Sequence, residues 1–311
     1  ASINTGIGFI YNKTQQFDES ERMHKAALDI YKRLANSNPQ AYESDLAASY
    51  LNLANLYNKT QRLTESEKMH KDALEIYKRL ANANPHAYET NLATNYNNLA
   101  ILYYATQRFA ESEKMFKCAL EIRKRLVESN PQAYELDLAQ SYNNLAYLYS
   151  NTQRFAESEK MFKTALKIFK RLTDTNPQAH EPDLTSCYNN LAILYSETQS
   201  FTESEQMYKA ALEIRKCLAE SNPQAYEPDL ATSYLNLANL YNKTQRFAES
   251  EKMHKAALEI YKRLADANPQ VYEPNLATSY NNLAVLYSET RRFAESEKMY
   301  KTALEIRKRL A

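Results

Sequence analysis

A proline returns every 46 residues in this chain, at Pro39, Pro85, Pro131, Pro177, Pro223 and Pro269, and each follows an asparagine. Self-similarity at a period of about 20–50 residues marks a solenoid, because one unit cannot bury its own apolar face and must stack on its neighbours. The 311 residues hold between six and seven such periods. The expected organisation is therefore one array over residues 1–311, with repeats near 1–46, 47–92, 93–138, 139–184, 185–230, 231–276 and a truncated 277–311. A chain with only two glycines, Gly6 and Gly8, and rich in Ala, Leu, Glu and Lys is expected to be all-α.

The period resolves into two helices. From Leu92 the apolar residues Leu92, Tyr96, Leu99, Ala100 and Tyr103 recur at helical spacing, and Thr106-Gln107-Arg108 reads as a polar turn. A second helix is expected from about Ala110, with Glu111 and Glu113 at its positive end and Met115, Phe116, Ala119, Leu120, Ile122 and Leu126 on its apolar side, to about Ser129. Asn130-Pro131 is expected to stop it, and the next helix to restart after Tyr134-Glu135. In later repeats Pro182, Pro228 and Pro274 then fall in a first helical turn, where a missing N–H costs nothing. Acid four residues before base recurs in the second helix, as Glu67–Lys71 and Glu113–Lys117 and again as Glu75–Arg79, Glu121–Arg125, Glu259–Arg263 and Glu305–Arg309. Such pairs stabilise an isolated helix by about 0.2–0.5 kcal/mol each, so these charges have a structural reading and no functional weight.

Several chemistries are excluded by the same reasoning. A formal charge of +1 with interleaved signs gives no basic patch for nucleic acid, and no stretch is long and apolar enough for a membrane span. Cys118, Cys187 and Cys217 occupy three unrelated places in the repeat, which suits free thiols in a reducing, cytoplasmic setting. His24, His70 and His254 alternate with Phe116, Phe162, Tyr208 and Tyr300, which marks a packing position. No metal site or cofactor is expected, since there is no His-x-x-x-His or Cys/His cluster, and no catalytic centre, since Ser, His and Asp occur at repeated surface positions.

Tyr-Asn-Asn-Leu-Ala-x-Leu-Tyr, then Arg-Phe-x-Glu-Ser-Glu-Lys-Met, then Ala-Leu-Glu-Ile-x-Lys-Arg-Leu, resembles the tetratricopeptide repeat, in the long form of kinesin light chains and bacterial arrays. The resemblance implies a right-handed superhelical α-solenoid of about seven helix-turn-helix repeats, with the first helix of each repeat lining a concave groove. A usual unit has about 34 residues; about twelve more are present here, expected in a longer second helix and the Asn-Pro connector. The small residue between the helices, usually glycine, is Ala54, Ala100, Ala146, Ala192, Ala238 and Ala284, and Gly8 alone keeps the usual type.

The side of the first helix opposite its apolar stripe follows from the step of about 100° per residue. One column there is uniform: Asn52, Asn98, Asn144, Asn190, Asn236 and Asn282, broken only at Gly6. A primary amide offers a donor and an acceptor side by side, matching both polar groups of a peptide bond. With helices packed about 8–10 Å apart and an extended peptide rising about 3.3 Å per residue, a rung meets every third residue. The neighbouring column varies (Asn55, Ile101, Tyr147, Ile193, Asn239 and Val285), as does a third with Lys59, Asn151, Glu197, Lys243 and Glu289, and these would set specificity. The expected function is a non-enzymatic module holding an extended peptide or partner protein in the groove. A competing account of the asparagines is that they keep the face soluble or bond to the adjacent repeat. Two other functions compete: a spacer stacking end to end through uncapped ends, and the sensor region of a larger bacterial signalling protein.

Overall fold

A computed structural model describes residues 1–310. Every regular element among the described residues is an α-helix, and the fourteen helices form seven consecutive pairs. The pairs are α1 (Ser2–Lys13) with α2 (Phe17–Ser37), α3 (Pro39–Lys59) with α4 (Leu63–Ala83), α5 (Pro85–Ala105) with α6 (Phe109–Ser129), and α7 (Pro131–Asn151) with α8 (Phe155–Thr175). They continue as α9 (Pro177–Glu197) with α10 (Phe201–Ser221), α11 (Pro223–Lys243) with α12 (Phe247–Ala267), and α13 (Pro269–Glu289) with α14 (Phe293–Leu310). The helices gather into two compact units, Ala1–Met161 and Phe162–Ala311.

The joint between repeats differs from the expected connector. The helix expected to restart after Glu135 begins at Pro131 itself, and a single residue, Asn130, separates it from α6. Asn130 donates its backbone N–H to Leu126 O at 2.9 Å, ending one helix, while its side chain accepts from Ala133 N at 3.3 Å, opening the next. Asn38, Asn84, Asn176 and Asn222 cap the following helix in the same way. Proline fits the first helical position because its ring presets φ and that N–H has no intrahelical partner. The added residues therefore lengthen both helices, to 21 residues each in the internal repeats, rather than the second alone. Pro182, Pro228 and Pro274 lie inside their helices, one turn beyond the position anticipated for them.

Within a pair, the small residue behaves as expected. Ala54, Ala100, Ala146, Ala192, Ala238 and Ala284 are fully buried. At each crossing a buried serine ties the second helix to the first: Ser112 Oγ donates to Ala100 O at 2.8 Å, and Ser66 to Ala54 O at 2.8 Å. In the first unit the core runs through Leu74, Tyr77, Leu99, Leu102 and Ile122, with Tyr50 and Tyr96 packed against it. In the second, Tyr208, Leu212, Leu237 and Tyr241 form a corresponding cluster.

The turn inside each pair places a non-glycine residue in the left-handed region: Gln15, Gln61, Gln107, Gln153, Gln199, Gln245 and Arg291 all have φ near 60°. A Cβ is strained there, so Gln107→Gly is expected to raise the unfolding free energy by about 1 kcal/mol. Urea denaturation of the full chain reads this as a higher midpoint at unchanged slope.

Candidate functional site: the first-helix face

The two inner columns differ in burial as well as in sequence. All six ladder asparagines, Asn52, Asn98, Asn144, Asn190, Asn236 and Asn282, are half-buried, whereas Asn55, Ile101, Tyr147, Ile193, Asn239 and Val285 are exposed. Ile101, Tyr147 and Ile193 keep 41–46% of their surface in water, which is unusual for side chains of this type. Asn144 also makes a bond to the preceding repeat: its Nδ2 donates to Asn97 Oδ1 at 3.0 Å. Asn52, Asn98, Asn236 and Asn282 make no such side-chain bond among the described residues.

The third column is occupied by contacts between repeats. Lys59 Nζ donates to Asn12 O at 3.3 Å and Asn12 Oδ1 at 3.1 Å, and Lys243 Nζ donates to Ser196 O at 2.7 Å. Each ammonium also lies over an aromatic ring, Phe17 at 5.4 Å and Phe201 at 5.5 Å. Glu289 accepts from Asn242 Nδ2 at 2.8 Å, and Asn151 Nδ2 turns back onto Tyr147 O at 2.8 Å. Glu197 is exposed. Lys59, Lys243 and Glu289 thus hold neighbouring first helices in register, a use that spacing alone did not reveal.

The acidic residues of the second helix carry more than the intrahelical pairs. Glu67 binds Lys71 at 2.7 Å, receives Arg108 Nη1 from the next repeat at 2.8 Å, and accepts from the Tyr103 hydroxyl at 3.2 Å. The Arg108 guanidinium stacks on the Tyr103 ring at 4.2 Å. The same clamp recurs at Glu21 with Arg62, Glu113 with Arg154, Glu205 with Arg246 and Glu251 with Arg292. Partial burial opposes the Glu205 charge, but hydrogen bonds from Arg246, Lys209 and Tyr241 outweigh it and bring the carboxyl down to about 2. The second expected series is corrected: Arg79, Arg125, Arg263 and Arg309 pair across the helix hairpin with Glu43, Glu89, Glu227 and Glu273 at 2.6–2.8 Å, not with the glutamates four residues before them. The cross-hairpin carboxylates are mostly buried, so those arginines meet a partner that is already desolvated.

A cleft opens on this face in the first unit. Ile101, Tyr104, Phe116, Asn144 and Tyr147 line a space of about 150 Å³ between α5 and α7. The Tyr104 ring lies 5.5 Å from Tyr147 and 5.7 Å from Phe109, both tilted by just over 50°. Burial, then the adjacent Tyr147 phenol, push the Tyr104 hydroxyl up to about 12. Tyr104 was not among the residues expected on this face. Its signal is a broken column, since the six equivalents are Asn12, Asn58, Ser150, Ser196, Asn242 and Ser288.

The histidines sit where their exchange with aromatics placed them, buried between helices. His70 Nδ1 meets Asn95 Oδ1 at 2.9 Å, and Asn95 Nδ2 returns a bond to His70 O at 3.1 Å. The residues equivalent to Asn95 beside His24 and His254 are Ser49 and Ser279, whose hydroxyls bond to their own helices at Asp45 O and Asn275 O. His254 Nδ1 is accordingly buried without a partner, and His24 Nε2 is buried without one as well. Burial lowers all three pKa values, and that of His254 falls to about 4. Among the described residues, no helix is long and apolar enough to cross a membrane.

Tetratricopeptide repeat patterns match residues 5–41, 45–125, 137–216 and 229–309. No curated protein matches the sequence. Among solved structures, BtubC (BKLC) from P. vanneervenii is 25% identical, with a TM-score of 0.65 over 81% of this chain and 92% of that one. A Signal Transduction ATPase with Numerous Domains protein from Pyrococcus horikoshii, with a tetratricopeptide repeat sensor, gives a TM-score of 0.69 at 16% identity. That match covers 97% of this chain and 41% of that protein. A Podosopora anserina protein described as a kinesin light chain with nearly identical TPR-like repeats gives 0.54 at 15% identity, over 71% of this chain and 96% of that one. The last two likenesses concern the fold alone. The helix pairs, the small residue tied by serine at each crossing, and the pattern matches over most of the sequence agree: the chain belongs to the tetratricopeptide repeat family.

Proposed function

We propose that the first-helix face binds an extended peptide segment of a partner protein, with the asparagine column on the peptide backbone and the neighbouring exposed column on its side chains. Tetratricopeptide repeats serve generally in protein–protein interaction, and that role is the starting point. The observation that carries the finer reading is the contrast between columns, a uniform half-buried amide beside a varied, exposed and partly apolar one. Solubility alone calls for neither uniformity nor exposed Ile101 and Ile193. The Asn144–Asn97 bond uses one donor of one rung and leaves the Asn144 carbonyl oxygen to accept from a ligand. The three free thiols suit a reducing compartment, and a cytoplasmic setting is part of the proposal.

The test uses peptides selected from a random dodecamer display library on the wild-type chain, with affinities measured by fluorescence anisotropy. Replacing Asn98, Asn144 and Asn190 together by Ala should weaken binding by about 100-fold, at roughly 1 kcal/mol per lost hydrogen bond. Unchanged affinity in a variant with wild-type helicity would rule the ladder out.

A further inference from the structure

Among the first-helix clefts within each unit, that between α5 and α7 is the one built from aromatic and aliphatic side chains on every wall but Asn144. Elsewhere the place of Tyr104 is taken by Asn12, Asn58, Ser196 or Asn242. The corresponding space at α1/α3 and at α9/α11 is crossed by a lysine, Lys59 or Lys243, anchored on the preceding helix and laid over a phenylalanine ring. At the same place in α7 stands Asn151, folded back on its own helix at Tyr147 O. No charge lies in the cleft, and no long side chain covers it.

Its size is informative. A volume of 150 Å³ is well below that of small-molecule sites, which run to about 300–1,000 Å³, and equals a dry cavity known to accept one benzene ring. The walls offer ring faces and edges: Tyr104 and Tyr147 tilted against each other, Phe116 buried at the floor, and the Ile101 side chain at the rim. The single amide at the wall donates its Nδ2 to Asn97, and its oxygen has no bond among the described residues, which leaves it an acceptor for a peptide N–H.

We propose that this cleft is a receptor for one aromatic side chain of a bound peptide, a phenylalanine ring by preference, with Asn144 Oδ1 accepting the N–H of the same peptide residue. The inference rests on the reading of this face as a peptide groove and adds its strongest specificity position. A neutral, unsubstituted ring matches the absence of charge, and tilted packing against Tyr104 and Tyr147 separates it from an aliphatic side chain of similar volume. A carboxylate or ammonium would be desolvated there without a counter-charge and is excluded.

The experiment titrates the intact chain, labelled at isoleucine methyls, with the N-acetyl methylamides of phenylalanine, leucine and aspartate. The Ile101 methyl signal should shift saturably with the phenylalanine derivative, at several-fold higher affinity than with leucine and not at all with aspartate. Tyr104→Ser, which installs a residue used at this place in three other repeats, should weaken the phenylalanine titration about tenfold with helicity unchanged. Equal affinity for leucine and phenylalanine, or an unchanged titration in Tyr104→Ser, overturns the proposal. The two readings fail separately. If the asparagine variants lose library peptides while capped phenylalanine leaves Ile101 unmoved, the cleft falls and the ladder stands. If capped phenylalanine binds while the asparagine variants keep their affinity, the ladder falls and the cleft stands.

Discussion

Ala100→Leu is expected to lower the unfolding free energy by about 3 kcal/mol, at the upper end of what overpacking costs. Ala100 is fully buried where α5 crosses α6, and its carbonyl oxygen is held 2.8 Å from the Ser112 hydroxyl. Three added carbons have no room without separating the helices and breaking that bond. Ala100→Gly is the control, since Gly8 occupies the equivalent place in α1. It should cost about 1 kcal/mol, from backbone entropy rather than clash. Urea denaturation at neutral pH distinguishes the two, and a Leu variant as stable as the Gly variant would show that the crossing is loosely packed.

Acid is expected to destabilise the protein well before its carboxylates titrate. His254 has a folded pKa of about 4 against an ordinary 6.5, because burial disfavours the imidazolium. Above pH 6.5 the ring is neutral in both folded and unfolded chains, and the contribution to stability is complete. Between pH 6.5 and about 4 the unfolded chain takes up a proton that the folded chain refuses, so stability falls with pH by about 3 kcal/mol in total. His24 and His70 act in the same direction. The clamped carboxylates, with Glu205 held at about 2, add their loss only below about pH 4.5. His254→Phe installs the residue used at 116 and 162. It should remove the His254 share of the slope between pH 6.5 and 4.5, leaving that of His24 and His70, and, by eliminating an unpartnered ring nitrogen, raise stability at pH 7 by about 1 kcal/mol. An unaltered pH profile in that variant would place the acid sensitivity elsewhere.

The period and the alternation of apolar residues carried the fold into plain view, because stacking repeats must each show the same buried stripe. The joint was misjudged for a physical reason. In sequence Asn130-Pro131 marks a stop, yet a proline that cannot continue one helix is equally suited to begin another. Deciding between them needs the cap bond from Ala133, which is a matter of geometry rather than residue type. The partners of Arg79 and Arg125 were ambiguous for a similar reason. A glutamate four residues away and one 36 residues away are both compatible with the pattern, and the more desolvated one prevailed. On the first-helix face, the position of the asparagine column was legible while its depth was not. The bond from Asn144 to Asn97 joins side chains 47 residues apart and depends on how closely two repeats settle. The aromatic cleft announced itself only as an irregularity, one tyrosine in a column of asparagine and serine.

The one-residue joint at each Asn-Pro has a consequence for turnover. Between Ser2 and Leu310 no break in helix exceeds three residues. A processive or site-specific protease must draw an extended stretch of substrate into its cleft, and such stretches are normally supplied by loops. This chain supplies none between its helices, so cleavage there must wait until helices open. Resistance to digestion thus becomes a readout of local opening, and a nick that forms under native conditions marks the pair that opens most readily.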